Sequence, residues 1–154
     1  MISSQYHLAQ LNIALMRAPL EDPVMDGFSS QLDQINALAD RSPGFVWRLQ
    51  TEEGDATAIQ AFDNPLILVN MSVWESLEAL HQFVYESDHK SLLRDRREWF
   101  HRLEGPGLVL WWVKAGHQPD PEEARRQLEL LAKAGPGVDA FTFGKHFPAP
   151  MGQA

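Results

Sequence analysis

Two short motifs punctuate this chain at matching places, SPGFVWRL at residues 42–49 and GPGLVLWWV at residues 105–113. Each puts proline and glycine behind a stretch of helical periodicity and opens a tryptophan-bearing, β-like run. Proline cannot continue a helix and glycine readily takes the left-handed turn that ends one, so both motifs read as a helix stop followed by a strand start. A chain that passes twice through strand, helix and strand matches the order of the split-βαβ, ferredoxin-like arrangement, an antiparallel sheet with helices on one face.

The remaining elements fit that order. Alternation predicts a first strand over residues 6–15, and Asp22-Pro23 supplies an N-cap and a first-turn proline for a helix. Val24, Phe28, Leu32, Ile35 and Leu38 form its inner stripe, up to the stop at Ser42-Pro43-Gly44. A second strand follows with Phe45, Trp47 and Leu49 on one side; residues 51–64 read as a turn and irregular hairpin arm, and residues 66–74 as a third strand. Leu77, Leu80 and Val84 open a second helical stripe, Ser87 or Asp88 can cap a further helical segment reaching about residue 103, and residues 108–114 form the next strand. Asp120-Pro121-Glu122-Glu123 then starts an extra helix to about residue 134, ahead of an aromatic, proline-rich tail. The fold class is α+β in one domain over residues 1–154, with a core at 5–116 and a C-terminal helix and tail at 117–154.

Parity along the strands separates two unlike faces. Gln10 and Asn12, Arg48 and Gln50, and Asn70 and Ser72 share one side, while the opposite sets are mainly apolar. Tyr6, Trp74 and either Trp111 or Trp112 fall on or near the polar side, since adjacent strand residues point opposite ways. One reading is an ordinary solvent-facing sheet. The sharper reading is a ligand pocket floored by amides, an arginine and aromatics, with the helices on the apolar face and a second copy of the chain walling in the polar one.

The segment FVYESDHKSLLRDRREWF, residues 83–100, adds His89 and Arg96 to a helical stripe that is otherwise apolar through Leu93 and Phe100. An unpaired polar group on a buried stripe costs roughly 1–3 kcal/mol, so both residues call for a partner or a ligand. His89 reads as a hydrogen-bonded structural histidine, an acid or base, or a metal ligand. Arg96 can hold an anion through paired hydrogen bonds or pair internally with Asp88, Asp95 or Glu98. Glu78 with His81 and Glu98 with His101 have the Glu-x-x-His spacing of di-iron sites, but the further carboxylates and the four-helix bundle are missing.

Composition removes other classes. A formal net charge of −8 argues against a phosphate backbone or an anionic membrane surface as partner. With Cys at 0, disulfides and thiolate ligation are excluded. No Gly-x-Gly-x-x-Gly, phosphate loop or Gly-x-Ser-x-Gly elbow occurs. The start, MISSQYHLAQLNIAL, lacks the basic flank of a signal peptide, and no apolar run reaches about 18 residues, so the expected location is cytoplasmic.

The blocks LAQLNIA, SPGFVWRLQ, NMSVWES, FVYESDHKSLLRDRREWF, GLVLWWVKAGH and AFTFGKHFP resemble the pattern of an uncharacterised bacterial domain-of-unknown-function family, over nearly the whole chain. That family is similar to the dimeric α+β barrel superfamily, in which two ferredoxin-like sheets pack face to face; cofactor-free antibiotic-biosynthesis monooxygenases and several haem proteins share the fold. The resemblance implies a homodimer and a small-molecule ligand, and leaves the cofactor open between none and haem. The leading expectation is an oxygenase-like enzyme acting on a small organic substrate between the sheet and the His89 helix. His89, Arg96 and Asn12 carry the chemistry in it, and Gln10, Arg48, Asn70, Trp74, Trp111 and Trp112 bind the substrate. A haem protein with His89 as axial ligand and a non-catalytic binding or stress-related module are the alternatives.

Overall fold

Strand β1, Tyr6–Met16, is hydrogen-bonded on both edges in the computed structural model, which describes residues 5–19, 21–49, 66–86, 99–103 and 105–150. On one edge lies β3, Ile67–Trp74, and beyond it β2, Phe45–Arg48; on the other lie the short β4, Phe100–His101, and β5, Leu108–Lys114. All pairings are antiparallel, in the order β2-β3-β1-β4, with β5 continuing the β4 edge along β1. This is the ferredoxin-like α+β arrangement. The helices are α1, Asp26–Arg41, α2, Leu77–Glu86, and α3, Pro121–Ala134. The expected hairpin arm at 51–64, the cap at Ser87 or Asp88 and the helix bearing His89 lie outside the described residues.

Local chemistry explains the boundaries. Asp22 Oδ1 accepts from the Val24 N–H at 2.9 Å, and Pro23 begins a single 3-10 turn, Pro23–Met25, that leads into α1. Because of that turn Met25 is buried, while Val24, expected on the inner stripe, is exposed. Asp120 Oδ1 caps α3 through the Glu123 N–H at 2.8 Å, as its Asp-Pro-Glu-Glu start implies. The helical pattern expected to reach residue 103 stops earlier: Phe100 and His101 pair with Met16 and Leu15 as β4.

Two further expectations are corrected. The ladder between β2 and β3 slips between Phe45 and Trp47, so Phe45 packs with Trp74 on one face while Trp47 packs on the other; a bulge inserts one residue and reverses the parity read from sequence. The helices, expected on the apolar face, lie on the polar one. Leu8, Trp74 and Leu110 pack beneath α1 and α2, with Ala39, Leu80 and Phe83, and Met16 packs with Met25, Phe28 and Trp99. Gln10, Asn12, Asn70 and Ser72 share that face by register. The apolar face, with Ala9, Leu11, Val109 and Trp111, receives α3 through Ala124, Leu128 and Leu131. Parity distinguishes the faces of a sheet but says nothing of which helix lands on which.

Gly44, in the first of the two punctuating motifs, has φ +84, and a Cβ added there would collide with the Cβ of Ala79 on α2. Its carbonyl accepts from Glu75 N–H at 2.7 Å. The end of α1 therefore sits directly against the start of α2. Gly44→Ala is expected to cost roughly 2–4 kcal/mol, combining the left-handed penalty with overpacking. Equilibrium urea unfolding measures it, and a loss under about 0.5 kcal/mol, the usual range for an exposed position, would refute the close approach.

Candidate functional site

On the face beneath α1 and α2, apolar residues gather at both ends and polar ones lie between. At one end Leu8 and Trp74 pack with α2 and the last turns of α1; at the other Met16 and Leu68 pack with Met25, Phe28 and Trp99. Between them β1 places Gln10 and Asn12, opposite Ser72 and Asn70 of β3, with Arg48 of β2 beside Ser72. Gln10 and Ser72 are buried, whereas Asn12 and Asn70 are exposed. The floor thus runs from a closed interior to an open edge.

Hydrogen bonds tie this floor together. The Trp74 indole N–H donates to Ser72 Oγ at 2.8 Å, and Gln10 Nε2 donates to Ser72 Oγ at 3.0 Å and to Asn70 Oδ1 at 2.8 Å. Trp74 itself is held between Phe83, stacked at 5.1 Å, and Phe45, edge-on at 5.4 Å. Buried polar groups keep their cost low only when satisfied, and this chain satisfies both donors of the Gln10 amide and the indole. Arg48 Nε donates to Asp40 Oδ1 of α1 at 2.8 Å, which ties the β2 edge to the helix.

Of the residues expected to form the site, Gln10, Asn12, Arg48, Asn70, Trp74 and Trp112 share this face. Trp112 donates to the Phe147 carbonyl at 2.9 Å, so the C-terminal tail covers it. Trp111 does not join them. It lies on the α3 face, where its indole donates to Glu123 Oε2 at 3.0 Å and the other carboxylate oxygen meets His117 Nε2 at 2.7 Å. His89 and Arg96 lie outside the described residues. Asn36, outside the expected site residues, is an amide on the flank of the buried stripe of α1 and only 9% exposed. A polar residue four positions after Leu32 was the available signal.

A separate open cleft of about 430 Å³ is lined by Leu77, Glu78, His81, Gln82, Phe143 and His146 at the junction of α2 with the tail. It does not include the floor residues. Among the described residues no group of three or more histidines and carboxylates is placed to hold a metal ion, and His101, half of one Glu-x-x-His pair, lies on a strand rather than a helix. The described floor residues offer amides, a hydroxyl and a guanidinium, but no imidazole for the iron of a haem. No helix among the described residues is long and apolar enough to cross a membrane.

The model of the domain of unknown function DUF3291 matches residues 7–154. The chain belongs to the DUF3291 family. No curated protein matches it. Among solved structures, this DUF3291 protein is similar to a conserved protein from Methanosarcina mazei Go1, at 14% identity and a TM-score of 0.47, covering 71% of this chain and 93% of that one. It is also similar to SnoaB, a cofactor-independent oxygenase from Streptomyces nogalater, at 17% identity and a TM-score of 0.43, covering 76% of this chain and 100% of that one. A protein of unknown function from Nitrosomonas europaea is 12% identical with a TM-score of 0.45, covering 76% and 96% of the two chains.

Ser72 is the acceptor on which two buried donors converge. Ser72→Ala in this DUF3291 protein leaves the Trp74 indole and one Gln10 N–H unsatisfied and is expected to cost roughly 2–4 kcal/mol, at about 1–3 per orphaned group before relaxation. A loss under about 0.5 kcal/mol in urea unfolding, the usual range for a surface position, would mean that the network does not hold.

Proposed function

We propose that this DUF3291 protein binds a small, largely planar organic molecule on the polar floor beneath α1 and α2 and acts on it as an oxygenase-like enzyme. The observation that carries the reading is the floor itself: Asn12 and Asn70 reach solvent at the open edge of a network otherwise buried between two aromatic-rich clusters. Pockets of this kind pair apolar walls with a few fixed polar groups. In this reading Asn12 and Asn70 orient the ligand's polar atoms, Arg48 borders it, Trp74 supports the floor from within through Ser72, and Trp112 closes the tail side. His89 serves as acid or base and Arg96 as anion partner. An amide donor already held in place, as Asn70 is by Gln10, stabilises charge that develops on a substrate oxygen, as in a phenolate or enolate, without reorganising during the reaction. Oxygenase chemistry is favoured over other reactions because the resemblance read from the sequence reaches cofactor-free monooxygenases. A homodimer belongs to the same proposal, tested by native mass.

A panel of small phenols and aryl ketones, followed with an oxygen electrode and mass spectrometry of products, tests the reading. The expected result is oxygen uptake without added metal, lowered at least about tenfold by Asn70→Ala, a loss equivalent to about 1.4 kcal/mol of transition-state stabilisation. Thermal shifts without product would replace the enzyme with a binding module, since a ligand at about a hundred times its Kd stabilises by about 2.7 kcal/mol. Neither uptake nor shift would end the proposal.

A further inference from the structure

Gln10 uses both amide hydrogens inside the protein, one on Ser72 Oγ at 3.0 Å and one on Asn70 Oδ1 at 2.8 Å. A primary amide nitrogen has two N–H groups and no more, so Gln10 can donate nothing further. The indole of Trp74, which can only donate, also points at Ser72 Oγ, at 2.8 Å, and so the hydroxyl oxygen accepts from both sides. The bond from Gln10 holds the carbonyl oxygen of Asn70 inward. The two ends of the Asn70 amide are chemically opposite, and with its oxygen turned inward onto Gln10, the group presented at the open edge is the NH2. Gln10 is 5% exposed and Asn70 is exposed, so the buried amide sets the orientation of the accessible one.

We propose that Gln10 is a positioning residue that fixes the hydrogen-bond polarity of the site: Asn70 is presented as a donor, and the ligand class is an organic molecule bearing an acceptor oxygen, a carbonyl or a phenolate. The proposal rests on the floor being the ligand site, as read above. It specifies in addition which ligands that site prefers and which residue, itself out of a ligand's reach, decides the preference.

The test compares two bicyclic probes by isothermal titration to the full chain: 1-tetralone, whose carbonyl only accepts, and 1-naphthylamine, whose amine donates. The wild type is expected to bind the ketone about tenfold more tightly, the ratio that roughly one hydrogen bond's worth of discrimination supplies. In Gln10→Glu the carboxylate has no N–H, so Ser72 and the Asn70 NH2 donate to it, the Asn70 oxygen turns outward, and the preference reverses. In Gln10→Met the Asn70 amide is released and the preference falls toward unity. Should both core variants fail to fold, Asn70→Asp, at an exposed position, keeps the inward bond from Gln10, places an oxygen outward and is expected to reverse the preference. Side-chain amide NMR of Asn70 reports the same turn independently of affinity. If wild type and variants bind both probes with an unchanged ratio, the positioning role is overturned while the ligand site stands. If the wild type binds neither probe, both fall.

Discussion

The double-edged pairing of β1 is the constraint on which the rest of the structure depends. Leu8 faces Trp74 on one side and Trp112 on the other, Gln10 faces Ser72 and Leu110, and Asn12 faces Asn70 and Leu108. Side chains alternate with a period of two, so a slip of one residue would bring Ala9 and Leu11 under α1 and α2 and push Gln10 and Asn12 into the apolar layer under α3. Neither layer would tolerate the exchange: the α3 side has Val109, Trp111, Leu128 and Leu131 waiting for aliphatic neighbours. The register is therefore enforced from both faces at once. That enforcement aligns the amides of β1 with those of β3.

A polar row inside a sheet that is covered on both sides is destabilising unless its groups are paired. It persists because Trp74 and Gln10 both find acceptors, and because the row opens to solvent at Asn12 and Asn70 before its unsatisfied capacity grows. Under the proposed function, the bonds that stabilise the interior also orient the group offered to a ligand, so Ser72 and Gln10 couple fold stability to recognition.

The third helix changes the layering of the fold. In a ferredoxin-like sheet with helices on one face only, the other face needs cover, and here α3 supplies it over β1 and β5 from within the chain. The tail adds to the same end of the molecule on the opposite side: Phe141 exchanges both backbone hydrogen bonds with Leu110 at 2.8 Å and is fully buried. The C-terminal third of the protein is therefore part of its core.

Much of this was written in the residues themselves. The limits of β5 at Leu108–Lys114, the cap and span of α3 and the stop at Ser42-Pro43-Gly44 all followed from local chemistry, because capping, helix termination and strand alternation act over a few residues. The grouping of Gln10, Asn12, Arg48, Asn70 and Trp74 on one face was equally legible, since parity along each strand is a property of that strand. What only the tertiary structure decided was everything that depends on a second element. The bulge after Phe45 exists because β2 must match β3, Trp111 and Trp112 separate according to which helix covers which face, and Phe100 and His101 leave their helical pattern to pair with the end of β1. Contacts between residues distant in sequence carry no local signature, so the chain alone could assign the amides to one face, but only the fold set which of them meet and which way their donors point.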